Sequence, residues 1–183
     1  MVRFETAQAL FETFPDARKV ISAEPTEEHS LDFLRGLTMK GKLDDAAAFC
    51  AYVLPRREAV WWACKSVRAF MNEPSLSEFD TKPLVLAEEW VSQPVEERRI
   101  AALDAGTGGD RDSPTTWVAR AAAWSGGTYS VGSMSPIAPP PQLTAHAAKV
   151  AILLCSRRVG MPKSGAILRA CLADGVGLAE TGL

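Results

Sequence analysis

Apolar residues along this chain recur at the three- and four-residue spacing of an α-helix. No run alternates apolar and polar positions in the way a half-buried strand does. The pattern therefore predicts an all-α fold of about eight or nine helices. We place these helices at residues 4–14, 28–39, 42–54, 55–72, 82–92, 94–105, 114–125, 142–160 and 163–174.

Prolines and glycines mark the predicted helix ends. A proline is tolerated in the first helical turn, where its missing N–H costs nothing. Five prolines stand just ahead of an apolar-periodic run: Pro55, Pro83, Pro94, Pro114 and Pro162. Ser113 precedes Pro114 as a natural N-cap, with a hydroxyl that can accept an unpaired N–H. Glycines that follow a run are expected to end it in a left-handed conformation. These are Gly41, Gly106, Gly126 and Gly160.

Two segments interrupt the short helix-to-helix connections. Residues 106–112 form a polar, glycine-rich stretch that we interpret as a turn, and residues 126–141 form a longer Gly/Pro-rich stretch. A loop as long as 126–141 inside a compact domain indicates a functional loop, a linker, or a misassigned element such as a short strand pair. Its proline run favours an extended path into the following helix.

The helix predicted over 142–160 is apolar around most of its circumference, apart from a narrow polar stripe of Lys149 and Ser156. Such a helix belongs at the centre of a bundle. We therefore predict one domain over residues 1–183, built around this helix. No repeat of fixed sequence is visible, although helices of similar length leave HEAT-like pairing open.

Composition narrows the class of protein. The chain has 183 residues, 47% of them hydrophobic, and a net charge of −2. An acidic balance of this kind argues against a dedicated nucleic-acid surface. The apolar stretch near the end is interrupted by charges, so we expect no membrane span, and residues 1–12 show no secretory signal. Cysteines that lie singly in helical patterns favour buried thiols in a reducing cytoplasm. The four are Cys50, Cys64, Cys155 and Cys171.

The segment 54–64 carries paired arginines and paired tryptophans. Adjacent residues on a helix point about 100° apart, so the two indoles cannot share one environment. The projection places Trp62 with the buried face, and Trp61 on a charged face with Arg57, Lys65 and Arg68. Two interpretations remain open for Trp61. Either a neighbouring helix covers it while the long cations lie around its rim, or it is a contact point for a protein partner.

Arg56 and Arg57 lie in the first turn of their predicted helix, where the helix dipole disfavours cations. An intramolecular ion pair should therefore compensate them. The nearest acids in sequence are Asp44, Asp45, Glu88 and Glu89.

The sequence contains no strong motif for metal binding or catalysis. We expect no metal, because neither His29 nor His146 has a carboxylate or cysteine at ligand spacing. No phosphate-binding loop or nucleophile elbow is present, and we expect no catalytic residues and no cofactor. Tyr129, Ser130 and His146 could nevertheless line a small-ligand or enzyme site under the 126–141 loop.

The run L-P-R-R-E-A-V-W-W-A-C-K-S-V-R at residues 54–68 follows an alanine-rich helix at 45–49. Together with the apolar helix at 143–154, it resembles a family of small uncharacterised proteobacterial proteins. Members of that family are often encoded in type VI secretion gene clusters, near spike-tip proteins and effector-loading adaptors. The resemblance implies a cellular setting and a spike-tip or effector-related partner, with no catalytic residues to carry over.

Three functions follow as hypotheses. The first is a non-catalytic, cytoplasmic accessory or adaptor protein that acts by protein–protein contact in a type VI secretion system. The second is an enzyme or small-ligand binder with its site under the 126–141 loop. The third is a helical scaffold without a ligand, in which replacing Trp61 changes stability alone.

Overall fold

The computed structural model describes residues 2–70, 78–130, 135–158 and 161–183, without the side chains of 78–80 and 161–162. These residues contain a short 3-10 helix, Pro15–Lys19, and nine α-helices, and no sheet occurs among them. The helices are α1 (Ala7–Thr13), α2 (Ser30–Met39), α3 (Leu43–Val53), α4 (Arg56–Phe70), α5 (Glu78–Ser92), α6 (Glu96–Gly108), α7 (Pro114–Ala123), α8 (Leu143–Arg158) and α9 (Met161–Thr181). The predicted all-α fold is confirmed.

Helix α8 lies at the centre, as its apolar circumference predicts. It packs against α3, α4, α7 and α9. Helices α2, α3 and α9 pack together at one end of the bundle, and α5, α6 and α7 pack together at the other. Helix α4 contacts both groups, which makes α4 and α8 the shared middle of the molecule.

The core is rich in alanine, which lets helices approach closely. In α3 every residue from 46 to 53 is buried, so this helix has no face left for solvent within that stretch. The segment that precedes α2 attaches through aromatic contacts: Phe11 lies 6.4 Å from Phe49 between ring centroids, and Phe14 lies 5.4 Å from Tyr52. Large aromatic rings give such a short segment most of the apolar area it can bury.

The predicted start of α5 and the predicted end of α6 are both wrong. Helix α5 begins at Glu78, so Pro83 lies inside it and not in its first turn. Helix α6 continues to Gly108, so Gly106 is a helical residue and not a cap. Gly106 is buried, and a Cβ there would lie 2.9 Å from Cγ of Arg120 on α7. This glycine therefore permits a close contact between α6 and α7. In the sequence, such a glycine looks the same as one that ends a helix.

Helix α9 also extends beyond its predicted end, to Thr181. Gly175 does not stop the helix. A Cβ at Gly175 would lie 2.6 Å from Sγ of Cys50 and 3.0 Å from Nε1 of Trp62. Contact with α3 and α4 therefore explains this glycine.

Other predicted features can be placed directly. Ser113 is the N-cap of α7, but its hydroxyl lies 2.9 Å from that of Thr115 and caps no N–H of the helix. Gly41 follows α2 with φ of 73°. The predicted cap Gly160 and the predicted helix ends at 71–72 and 159–160 lie outside the described residues.

The 126–141 segment contains a minimal strand pair. Tyr129 and Ile137 form an antiparallel bridge through two backbone hydrogen bonds of 3.0 and 2.9 Å. Of the three interpretations of this segment, the bridge supports a short strand pair. Residues 131–134 between the two partners lie outside the described part.

All four cysteines are buried, unpaired thiols. Burial raises the pKa of Cys155 to about 12 and raises those of the other three as well. They act as small hydrophobic side chains and carry little thiolate at neutral pH. Among the described residues, no helix is both long enough and apolar enough to cross a membrane.

Candidate functional site

The outward strip of α4 carries the residues that the sequence singled out. Helix α4 starts directly after Pro55, whose fixed φ suits a helix start. Arg57, Trp61, Lys65 and Arg68 follow one another at spacings of three or four, so they share an arc of about 80°. On one side of this strip lies α5, and on the other lies α9.

Trp62 fixes the rotation of α4. Its side chain is 1% exposed, and its Nε1 donates a hydrogen bond of 2.6 Å to the backbone carbonyl of Cys171 on α9. Moving a buried indole whose N–H is hydrogen-bonded would cost free energy, because both the apolar burial and the hydrogen bond would be lost. Because Trp62 points into the bundle, the preceding residue, Trp61, must point toward its edge.

Trp61 is partly buried and packs against the core with part of its ring. The rest of the ring lines a groove of about 440 Å³ between α4 and α9. Lys65 lies on the α4 wall, and Asp174 and Leu178 lie on the α9 wall. Within residues 2–70, 78–130, 135–158 and 161–183, the indole N–H of Trp61 has no hydrogen-bond acceptor. The groove thus offers an aromatic surface, an unused donor and one charge of each sign.

Arg57 and Arg68 turn away from this groove toward α5. Nε of Arg57 donates to the carbonyl of Val91 at 2.7 Å, near the end of α5. Arg68 holds the Glu88 carboxylate with two hydrogen bonds of 2.7 and 2.6 Å. Of the four predicted binding residues, the structure therefore brings Trp61 and Lys65 together in the groove and places the other two along α5.

The expected ion pairs of Arg56 and Arg57 are not those that form. Arg56 donates to the carbonyl of Ser125 at 2.8 Å, just after α7, and Arg57 uses the end of α5. Three of the acids proposed as partners use their carboxylates elsewhere: Asp44 pairs with Arg157, Asp45 accepts from Ser22 and Ala23, and Glu88 pairs with Arg68. Glu89 bonds neither arginine; its backbone carbonyl accepts from Arg98. The C-terminal end of a helix carries a partial negative charge, so the ends of α7 and α5 can compensate these two cations.

The sequence of the chain also matches a known protein family. Residues 33–179 match a sequence family described as a family of unknown function (DUF6931). The chain belongs to this family. No curated protein and no solved structure matches the chain. The DUF6931 region starts within α2 and ends within α9. It includes the α4 wall of the Trp61 groove and the α9 wall as far as Leu178, whereas Thr181, Gly182 and Leu183 lie beyond it.

The alternative site under the 126–141 loop lies in the same DUF6931 region. His146 is partly buried, with its ring 6.0 Å from that of Trp117 in an edge-on contact. Burial and the nearby charge of Lys149 lower the pKa of His146. Tyr129 is held by its backbone bridge to Ile137, and Ser130 is exposed. None of these three predicted residues lines the cavities found beside α4, α5 or α3.

Arg99 is a buried residue that the sequence did not single out. It is 4% exposed and donates to the carbonyls of Ala123 at 2.7 Å and Thr128 at 3.0 Å. Glu96 accepts two further hydrogen bonds from it. Gly127, with φ of 61°, passes so close that a Cβ would lie 2.4 Å from Nε of Arg99. The paired glycines after α7 are the available signal in the sequence. Gly127 leaves room for the guanidinium, whereas a Cβ at Gly126 would meet no atom within 4 Å.

The described part of the chain contains no candidate metal-binding site, because no three His, Cys, Asp or Glu side chains lie close enough together to hold a metal ion. The groove at Trp61 is therefore the strongest candidate binding site in the described part of the chain.

Proposed function

We propose that this protein is a non-catalytic accessory or adaptor protein, and that it binds a protein partner through the groove between α4 and α9. We further propose a cytoplasmic role in a bacterial type VI secretion system, with a spike-tip or effector-related partner. The resemblance of residues 54–68 supports that setting. The groove supports the mode of action.

The position of Trp61 carries the proposal. Tryptophan is enriched among the residues that dominate binding energy, because it buries a large rigid surface and still offers an N–H donor. Trp61 is anchored on one side by the core and open on the other, with its donor unused by the described residues. Lys65 and Asp174 at the rim can set the orientation of a partner through charge.

Photocrosslinking in the native bacterium tests the proposal. A photoreactive amino acid placed at Lys65 should crosslink a protein encoded in the same secretion gene cluster. The crosslink should disappear when Trp61→Ala is added. Lys40, which is exposed at the end of α2 and does not line the groove, provides the matched control position.

Two outcomes would count against the proposal. One is crosslinking from position 65 that persists unchanged with Trp61→Ala. The other is an equal crosslinking pattern from positions 65 and 40. A scaffold without a partner predicts a different result, in which Trp61→Ala lowers the free energy of unfolding and leaves every crosslink unaffected.

A further inference from the structure

The Trp61 groove runs along α9. The residues of α9 that line it recur at a spacing of four and so form a single strip of the helix surface: Ala173, Asp174, Gly177, Leu178 and Thr181. This strip is about 12 Å long, at about 1.5 Å per residue. On the opposite wall, Trp61 and Lys65 lie one turn apart on α4. The groove therefore has the length of about two turns of a helix.

The two walls offer no backbone groups to an extended segment. Both walls are α-helices, and the interior N–H and C=O groups of an α-helix bond within the helix. An extended segment in the groove would lose water from its own backbone groups and find no strand with which to pair, which costs free energy. A helix satisfies its backbone by itself. The groove therefore favours a helical occupant, which binds through its side chains.

Gly177 lies on the α9 wall without a close contact that would require glycine. A Cβ there would meet no atom within 4 Å, whereas Gly106 and Gly175 both stand where a neighbouring helix comes close. Glycine inside a helix is destabilising relative to alanine, because it loses more backbone freedom on folding. Since Gly177 faces the groove, the neighbour that would make use of this glycine is a helix from outside the chain.

The two walls of the groove carry charges of opposite sign. Lys65 on α4 and Asp174 on α9 belong to no ion pair among the described residues. A helix that lies in the groove presents one flank to each wall. An acidic side chain on one flank and a basic side chain on the other therefore complement the groove, and such charges set the orientation of a partner.

We propose that the partner segment in the Trp61 groove is an α-helix of about two to three turns that lies along α9. A small residue of this helix packs on Gly177, and its apolar side chains cover the ring of Trp61 and Leu178. An acidic side chain pairs with Lys65, and a basic one pairs with Asp174. This inference rests on the proposed function and adds to it the conformation and the chemistry of the partner.

Photocrosslinking from two positions on α9 measures the conformation of the partner. A photoreactive amino acid is placed at Ala173 or at Thr181, which are both exposed residues of the groove wall. Mass spectrometry then identifies the partner residue that is crosslinked from each position. The distance of about 12 Å corresponds to about eight residues of a helix and about four of a strand. We expect the two crosslinked residues to lie about eight apart, in one segment that carries an acidic and a basic residue.

Gly177→Ala tests the close approach of the partner helix. An added methyl group overpacks a close helix contact, so the crosslinking yield from both positions should fall about fivefold or more. Gly36→Ala is the matched control, because Gly36 is a glycine within α2 that also has no atom within 4 Å of its Cβ position and does not line the groove. Alanine favours the helix at both positions, so a loss confined to Gly177→Ala reports on binding and not on folding.

Three results would overturn this inference and leave the proposed function in place, provided that position 65 still gives a crosslink that depends on Trp61. They are crosslinked partner residues about four apart, equal yields from Gly177→Ala and Gly36→Ala, and no crosslink from positions 173 and 181. A second copy of this chain as the crosslinked protein would overturn the inference and the proposed partner. Absence of the Trp61-dependent crosslink from position 65 would overturn the proposed function and the inference together.

Discussion

Helices α9 and α6 are attached to the bundle in opposite ways. At the α9 junction, Gly175 lets the helix approach the buried ring of Trp62, so that apolar surfaces meet closely. At the α6 junction, the main buried side chain is Arg99, and the attachment runs through its hydrogen bonds to backbone carbonyls. One junction depends on shape and the other on polar pairing.

The difference determines how each junction can fail. Apolar contacts are non-directional, and their loss costs free energy roughly in proportion to the area and the cavity left behind. A buried guanidinium is favourable only while its acceptors stay in place, because its desolvation must be offset by those bonds. The α6 junction should therefore be the less stable of the two.

Trp62→Ala should produce the largest effect, because it empties the centre of the α9 junction. Loss of a buried tryptophan typically costs about 3–5 kcal/mol. This is a large part of the stability of an ordinary domain. Urea unfolding followed by circular dichroism measures it. Trp62→Phe keeps most of the ring and removes the hydrogen bond to Cys171, so it should cost about 1–2 kcal/mol. Equal losses from the two variants would show that packing is not what Trp62 contributes.

Arg99→Met should destabilise the other end of the molecule. It leaves the carbonyls of Ala123 and Thr128 without their charged donor, which should cost about 1.5–3 kcal/mol. Hydrogen exchange should become faster in α6 and at residues 126–130 while α9 keeps its protection. Arg98→Met is the control, since Arg98 bonds the exposed carbonyl of Glu89. Uniform loss of protection over both ends would refute the separation of the two junctions.

These two residues also show what sequence reasoning can reach. Trp62 was assigned to the core because helical periodicity reports which face of α4 is apolar. Arg99 was not recognised, because its partners are backbone carbonyls, and every residue has one. Pattern alone therefore predicts apolar contacts well and polar contacts to the backbone poorly.

The glycines illustrate the same limit. Gly106 is predicted to end its helix, and the helix before Gly175 is predicted to stop at 174, yet both glycines are points of close helix contact. A missing side chain serves either purpose, and only the fold distinguishes them. The sequence predicts Trp61 and Lys65 as binding residues but does not predict a groove. The outward face of α4 follows from its own periodicity, whereas the α9 wall depends on tertiary packing.

Gly175→Ala should be destabilising, with a smaller effect than the two changes above. The added Cβ would meet Cys50 and Trp62 well inside contact distance, and overpacking of this kind costs about 1–3 kcal/mol. Gly177→Ala in the same helix meets no atom within 4 Å. It should stabilise by about 0.4–1 kcal/mol, because alanine favours the helix. Thermal unfolding of both variants measures the contrast. Shifts of the same sign in the two melting temperatures would contradict close packing at Gly175.

The smallest expected effect is a pH dependence that only the α6 junction should show. Hydrogen bonds from Arg99 lower the pKa of Glu96 below its ordinary value of 4.5. The folded state therefore holds the Glu96 proton more weakly than the unfolded chain does. The resulting stabilisation is fully present above the unfolded pKa and is lost as the pH falls through the folded one.

Glu96 is largely exposed, so its pair with Arg99 should contribute only about 0.2–1 kcal/mol. The difference in unfolding free energy between the native chain and Glu96→Gln should be present near neutral pH and vanish in acid. Glu97→Gln, which changes a neighbouring exposed acid, should show no such trend. A difference that stays constant from neutral pH into the acid range would mean that Glu96 does not stabilise the α6 junction through its charge. The guanidinium of Arg99 would then be held by the two carbonyls alone.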